Sequence, residues 1–160
     1  MRGRFKRRFA SKLRASADEV FAHATSVEGI NEELWPLRLT APRGVRSIAD
    51  SSEMFPNGVP VGETLFTSWL MLGPLPLERL KLRLVELDLS RRRFVESSDL
   101  FSMRLWQHER MVRPLDSGSE VVDVLTFEPR VRALAPVLRR FVAHLFPRRH
   151  AFLRRRFAQA

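Results

Sequence analysis

The sequence contains no cysteine and no tyrosine, and its seven glycines stand singly. Without cysteine there is no disulfide framework, thiolate metal site or cysteine nucleophile. Scattered glycines form no phosphate-cradling loop, and no Gly-x-Ser-x-Gly segment marks a serine nucleophile. No apolar run approaches the roughly 18–20 residues of a membrane-spanning helix. No histidine pair has the His-x3-His spacing of a helical metal site, because His144 and His150 stand six apart. Neither a metal nor another cofactor is expected.

Acid is missing from both ends of the chain. Residues 1–14 carry seven basic groups and residues 129–160 carry nine, with no aspartate or glutamate in either. The middle holds the other 12 basic groups and all 18 acidic ones. The formal charge of +10 therefore divides into two basic ends, +16 together, around a body of −6. A basic balance raises nucleic acid and anionic membrane as partners. Nucleic acid is disfavoured, since no recognition module is present and the phenylalanines follow core periodicity instead of forming a stacking platform. An anionic membrane surface stays open. Cytoplasmic location, peripheral to a membrane if the basic ends dock there, is the expectation.

At 160 residues, with 44% hydrophobic composition, the chain is expected to form one domain spanning 1–160 with a full core. Residues 4–14 alternate with period two and predict a strand. Ser16, with Glu19 three residues on, predicts a capped helix, and Val27–Leu34 predicts a second short helix ending before Trp35-Pro36. Residues 41–61 are rich in Pro, Gly and Ser and read as a loop with the length of a lid. Five strands follow: 63–72, 80–88 after a Gly-Pro-Leu-Pro turn, 93–97, 101–113, and 120–128 after an Asp-Ser-Gly-Ser turn. From Val131 onward, apolar residues step by three and four and predict one long amphipathic helix, kinked at Pro147, with its nine arginines facing solvent.

A strand, two short helices, an antiparallel meander and a long final helix make an α+β plan. Three segments then carry a resemblance: FVESSDLFSMRLWQHERMV, DVLTFEP and LFPRRHAFLRRRF. With this order of elements, the chain resembles the START-like or SRPBCC superfamily, whose helix-grip fold wraps a curved antiparallel sheet around the C-terminal helix. The motif is similar to a bacterial branch with Trp-x-His-x-His on a late strand, Asp on the next, and Phe-x-x-Arg-His near the end of the last helix. Trp106, His108, Asp123 and Phe146 to His150 occupy those places. Arg110 stands where the second histidine would be, and Asp99-Leu100-Phe101 replaces a Gly-Pro-Phe.

The resemblance implies a cavity for a hydrophobic or amphipathic small molecule, lipid or polyketide-like. Members range from binders and carriers to polyketide cyclases, and fold alone does not choose between them. Arg104, Trp106, His108, Arg110 and Val112 fall on one face of a strand, which lines either a wet cavity or the solvent side. With the turn centred on Ser117-Gly118, Arg110 falls opposite Leu125 and diagonal to Asp123, within reach of an ion pair. Trp69, with Leu65 and Met71, would form a wall of the cavity, and Phe141 and Leu145 the helix side; ordinary core packing is the other reading of each. Two functions remain: a non-catalytic binder in which Arg110, His108 or Asp123 orients one polar group, and a cyclase or dehydratase with His108 as acid–base and Arg110 polarising a carbonyl. Residues 41–61 would be the lid.

Overall fold

A computed structural model describes residues 3–49, 55 and 57–158. Strand β1 (Phe5–Leu13) is followed by helices α1 (Ala17–Thr25) and α2 (Val27–Leu34). Then come β2 (Leu37–Leu39), β3 (Thr64–Leu72), β4 (Leu75–Asp88), β5 (Arg93–Ser97), β6 (Asp99–Leu100), β7 (Met103–Pro114) and β8 (Ser119–Pro129). Helix α3 (Ala135–Arg156) closes the order after a 3-10 turn over Arg132–Leu134. The strands form one antiparallel sheet in the order β1-β8-β7-β5-β4-β3-β2, with β6 added to β4. The sheet curls around α3, the helix-grip arrangement.

Local chemistry sets the corner between α1 and α2. Ser16 caps α1 by accepting from the Glu19 amide at 3.2 Å. Ser26 ends α1 and begins α2: its hydroxyl donates to the His23 carbonyl at 2.8 Å and accepts from the Gly29 amide at 2.9 Å. The corner is so tight that a Cβ on Gly29 would lie 2.0 Å from the His23 carbonyl oxygen. One turn later α2 delivers Glu33 into the interior. Asn31 acts as a strand edge: its amide group accepts from Leu39 N–H at 2.7 Å and donates to Leu39 C=O at 3.1 Å, holding β2 in place.

Helix α3 buries Val142, Leu145, Phe146, Arg149, His150 and Leu153, one stripe at three- and four-residue steps. Pro136 sits in its first turn, where a missing amide costs nothing. The expected kink site, Pro147, lies inside a single helix that continues to Arg156.

Four expectations need correction. The β3–β4 turn is only Gly73-Pro74, because Leu72 and Leu75 already pair; β4 therefore starts five residues earlier than composition suggests. The predicted strand at 101–113 begins at Met103, and Asp99-Leu100 pairs separately with β4. The β7–β8 loop is four residues, with Pro114 opposite Ser119, which brings Arg110 directly opposite Asp123 instead of Leu125. Not all nine C-terminal arginines face solvent, since Arg149 is buried. Of the predicted lid at 41–61, residues 50–54 and 56 lie outside the described residues; Ser47 makes a bridge to Ser26 and the Ile48 amide donates to the Thr25 carbonyl.

Candidate functional site

Between the sheet and α3 lies a cavity of about 330 Å³, at the lower end of the about 300–1,000 Å³ usual for small-molecule sites. Ala24, Val27, Ile30 and Leu34 wall it from α1 and α2. Phe66, Leu70, Leu80, Leu82, Phe94 and Trp106 wall it from the sheet, and Leu138, Phe141 and Leu145 from α3. One end is polar. Glu96, His108 and Arg149 line it there, and His108 and Arg149 are buried. At the other end Leu77 and Val137, both exposed, line the same space and form its mouth.

Behind the polar end lies a network of buried charge. Asp123 accepts from Arg110 through both oxygens, Nε to Oδ1 and Nη2 to Oδ2, each at 2.7 Å. His108 Nε2 reaches Oδ1 and His150 Nε2 reaches Oδ2, both at 2.8 Å. Each carboxylate oxygen thus has two partners, which fills its acceptor sites. The remaining Arg110 nitrogen, Nη1, donates to Glu33 at 2.8 and 3.0 Å. Arg149 Nε donates to Glu33 Oε2 at 2.9 Å, and Nη2 lies 2.9 Å from the same oxygen as an ion pair. Two carboxylates facing two guanidinium groups balance the buried charge, which lets so many ionised groups stay inside.

The electrostatics follow from this geometry. Burial alone would raise the Asp123 carboxyl, but Arg110 and His108 outweigh it and hold the group well below the usual aspartate value. Burial likewise opposes ionisation of Glu33, and Arg110 with Arg149 reverses the sign to a lowered value. For His108, burial disfavours the charged ring; Asp123 and then Glu96 overcome it, and the ring is raised above its ordinary value. The Arg110 guanidinium is raised as well, against its own burial, by Asp123 and Glu33. His150 is fixed from both sides. Arg154 Nη1 donates to Ser11 Oγ at 2.8 Å, and Ser11 Oγ lies 2.8 Å from His150 Nδ1. A guanidinium only donates, so Ser11 is free to give its own proton to Nδ1, and the ring proton then sits on Nε2 facing Asp123.

His108 faces the cavity with a bonded orienting partner. With Nε2 turned to Asp123, Nδ1 lies 3.8 Å from Glu96 Oε2, beyond a direct hydrogen bond. Arg149 turns Nε and Nη2 toward Glu33, while Nη1 makes no hydrogen bond among the described residues. A ligand hydroxyl or carbonyl reaching this end meets a carboxylate acceptor, an imidazole and a guanidinium donor.

The predicted site residues divide. Trp106, His108, Phe141 and Leu145 line the cavity. Arg110 and Asp123 are fully buried behind it and do not line it, so Arg110 cannot polarise a bound carbonyl directly. Arg104 is exposed, because the β7–β8 register breaks between Met103 and Leu105 and drops it from the inward face; its nearest charge is Glu128 at 3.9 Å. Trp69 is 43% exposed on the outer face, since the pleat turns Phe66, Ser68 and Leu70 inward. Leu65, expected beside Trp69, is buried because a bulge between Thr64 and Phe66 shifts the alternation.

Sequence reasoning missed Glu33, Glu96 and Ser11, and gave no role to Arg149 or His150. A signal for the last two exists. Val142, Phe146, Arg149 and Leu153 keep the three- and four-residue step, so Arg149 occupies a core position of the helix. Nothing comparable marks Glu33 or Glu96, which earn their place only through partners distant in sequence. Among the described residues no group of three or more His, Cys, Asp or Glu side chains is arranged to hold a metal ion.

The curled sheet, the gripped helix and the cavity between them define the helix-grip fold. The chain belongs to the family described as "Domain of unknown function (DUF8410)", whose model matches residues 11–157. No curated protein matches the sequence. Solved structures with this fold include a START superfamily protein from Mycobacterium smegmatis, 11% identical, covering 96% of this chain and 97% of its own at a TM-score of 0.66. The Zhui aromatase/cyclase from Streptomyces sp. R1128 is 16% identical, with 95% of each chain covered and a TM-score of 0.59. Ara h 8.0201 is 10% identical, with 94% of this chain and 98% of its own covered and a TM-score of 0.56.

Proposed function

We propose that this protein binds one hydrophobic small molecule, lipid or polyketide-like, in the cavity between sheet and α3, with a hydroxyl or carbonyl held at the polar end. The carrying observation is the convergence of Glu96, His108 and Arg149 at one end of a space whose lining is mostly apolar. Apolar walls supply affinity by taking the ligand out of water, and three polar groups supply orientation. The buried network supports those groups: Asp123 aims His108, and Glu33 holds Arg149. Native mass spectrometry of freshly purified protein tests this reading. A co-purifying apolar molecule, lost in a Leu145→Trp variant that still folds, is the expected result. Protein that is always empty and binds no fluorescent fatty acid or polycyclic phenol overturns it.

A second reading is a cyclase or dehydratase, favoured by one feature, the bonded Asp123–His108 pair facing the cavity. There His108 would take a proton from carbon next to a carbonyl and return it to a departing hydroxyl as water. Arg149, not Arg110, would meet the carbonyl oxygen. Turnover of an aromatic polyketide with loss of one water, abolished by His108→Gln, would establish it; unchanged substrate with wild-type protein would remove it.

A further inference from the structure

The β3–β4 hairpin ends in the segment Leu72-Gly73-Pro74-Leu75-Pro76-Leu77, which has no charged side chain and no polar one, and all six residues are exposed. Opposite it, the start of α3 and the turn before it expose Val131, Leu134 and Val137. Leu134 and Val137 continue along the helix into Leu138 and Phe141, which line the cavity. Leu77 and Val137 line it too, so the hairpin and the helix start are two lips of one mouth. Phe101 extends the same rim. It is 75% exposed, and its amide donates to Glu78 Oε1 at 2.7 Å and to the Arg79 carbonyl at 3.2 Å. Arg130 ties this loop to the helix start through the carbonyls of Leu100, Phe101 and Met103.

The rim is also basic. Arg79, Arg132 and Arg140 are exposed and make no ion pair among the described residues. The acid within the hairpin, Glu78, is committed to the amides of Phe101 and Ser102. Trp69 stands opposite Arg79 in the β3–β4 register, exposed on the outer face beside the tip. An apolar tip, a tryptophan set slightly back and arginines around them match the layers of an anionic lipid surface: acyl chains, interface and headgroups.

We propose that the cavity mouth docks on an anionic lipid surface, with the hairpin tip at 72–77 and the start of α3 entering the interface. A soluble acidic protein would satisfy the arginines equally well. The tip decides between them. A protein partner packs against one face of a hairpin, whereas Leu72, Pro74, Leu75, Pro76 and Leu77 are exposed together around this one, which suits a medium that surrounds it. Docking in this pose would open the cavity toward the bilayer, so the purpose of the surface rests on the ligand-binding reading, while its geometry does not. Among the described residues no helix is long and apolar enough to cross a membrane, so the contact is peripheral.

Co-sedimentation of the full chain with phosphatidylcholine vesicles, with and without phosphatidylglycerol, tests the proposal. Binding is expected to the anionic vesicles and to weaken with salt. Leu75→Glu with Leu77→Glu is expected to lower the affinity by about tenfold or more while leaving the melting temperature unchanged, because both side chains are already exposed. Arg132→Glu with Arg140→Glu should remove the preference for anionic lipid. A blue shift of tryptophan emission on vesicle binding should disappear in Trp69→Phe. Leu145→Trp, which fills the cavity, should leave vesicle binding intact, so failure of the ligand reading and failure of docking are read separately. Absence of binding to either vesicle, or equal binding by the Leu75→Glu/Leu77→Glu variant, overturns the proposal. Capture by a soluble acidic protein with vesicles ignored overturns it in favour of a protein partner.

Discussion

Arg110 and Asp123 stand directly opposite each other on β7 and β8, and the guanidinium meets the carboxylate through two parallel bonds of 2.7 Å. Neither side chain touches solvent. The pair is the anchor of the site: it fixes Asp123, Asp123 fixes His108 and His150, and the free nitrogen of Arg110 fixes Glu33. A buried pair of this kind is costly to break because the surviving charge is left uncompensated.

Arg110→Met should therefore destabilise the fold by about 3–5 kcal/mol, read from the urea midpoint. Arg110→Lys should recover little of it, since a single ammonium cannot replace a two-bond fork to Asp123 and a third contact to Glu33. Full stability in Arg110→Lys would show that charge alone, and not the fork, holds the site.

His108 should give stability a pH dependence in the neutral range. Burial works against the charged ring, yet Asp123 wins and the folded value is raised above 6.5. The folded state then holds the proton more tightly than the unfolded one. The contribution is complete below the unfolded value of about 6.5 and is lost as pH rises through the folded one. Denaturant titrations across this range should show a slope that flattens in His108→Gln; an identical slope in both proteins would mean the ring is not the source.

The two carboxylates have the opposite sign. Asp123 and Glu33 are lowered from 3.8 and 4.5, so their contribution is present above those values and disappears as pH falls through the folded ones. Acid unfolding should be cooperative and steep. Glu33→Gln should lower stability at neutral pH and make the acid limb shallower, measured by circular dichroism against pH.

Gly29→Ala tests the corner that delivers Glu33. The added carbon would meet the His23 carbonyl at 2.0 Å, and a backbone oxygen cannot move aside cheaply. A loss on the order of 2 kcal/mol is expected, together with weakened ligand binding if the corner sets the depth of Glu33. An unchanged melting temperature would show that the two helices can separate without cost.

Ligand affinity should separate the residues of the inner and outer faces. Arg104→Ala and Trp69→Phe should leave binding of a fluorescent fatty acid unchanged, since both side chains point away from the cavity. His108→Gln should weaken a ligand with a terminal hydroxyl or carboxyl by about tenfold, the value of one lost charged or polar contact. Isothermal titration supplies both numbers.

Periodicity and turn chemistry carry most of the fold. Ser16 with Glu19 announces α1, Val27–Leu34 coincides with α2, and the stripe from Leu138 to Leu153 announces α3, because each depends on contacts within a few residues. Strand ends and register were less legible. Pro74 and Pro76 look like one long turn, yet β3 and β4 pair right up to Gly73-Pro74 at an edge where the missing amides cost little. The bulge at 64–66 separates buried Leu65 from the outer face of Trp69, the one at 103–105 turns Arg104 outward, and alternation alone cannot show an inserted residue.

The sequence by itself determined the order of the main elements, though not the short strands β2 and β6, together with the split of charge between ends and body and the presence of His108 and Asp123 on neighbouring strands. Those follow from local spacing and from a short turn. Only the tertiary structure decided which charges go inside. Glu33, Arg110, Asp123 and Arg149 come from α2, β7, β8 and α3, and ionised groups can be buried only where each finds its partner across those elements. The same assembly turned the apolar hairpin at 72–77 and the arginines near the start of α3 into one surface around the cavity mouth, an association that no spacing along the chain contains.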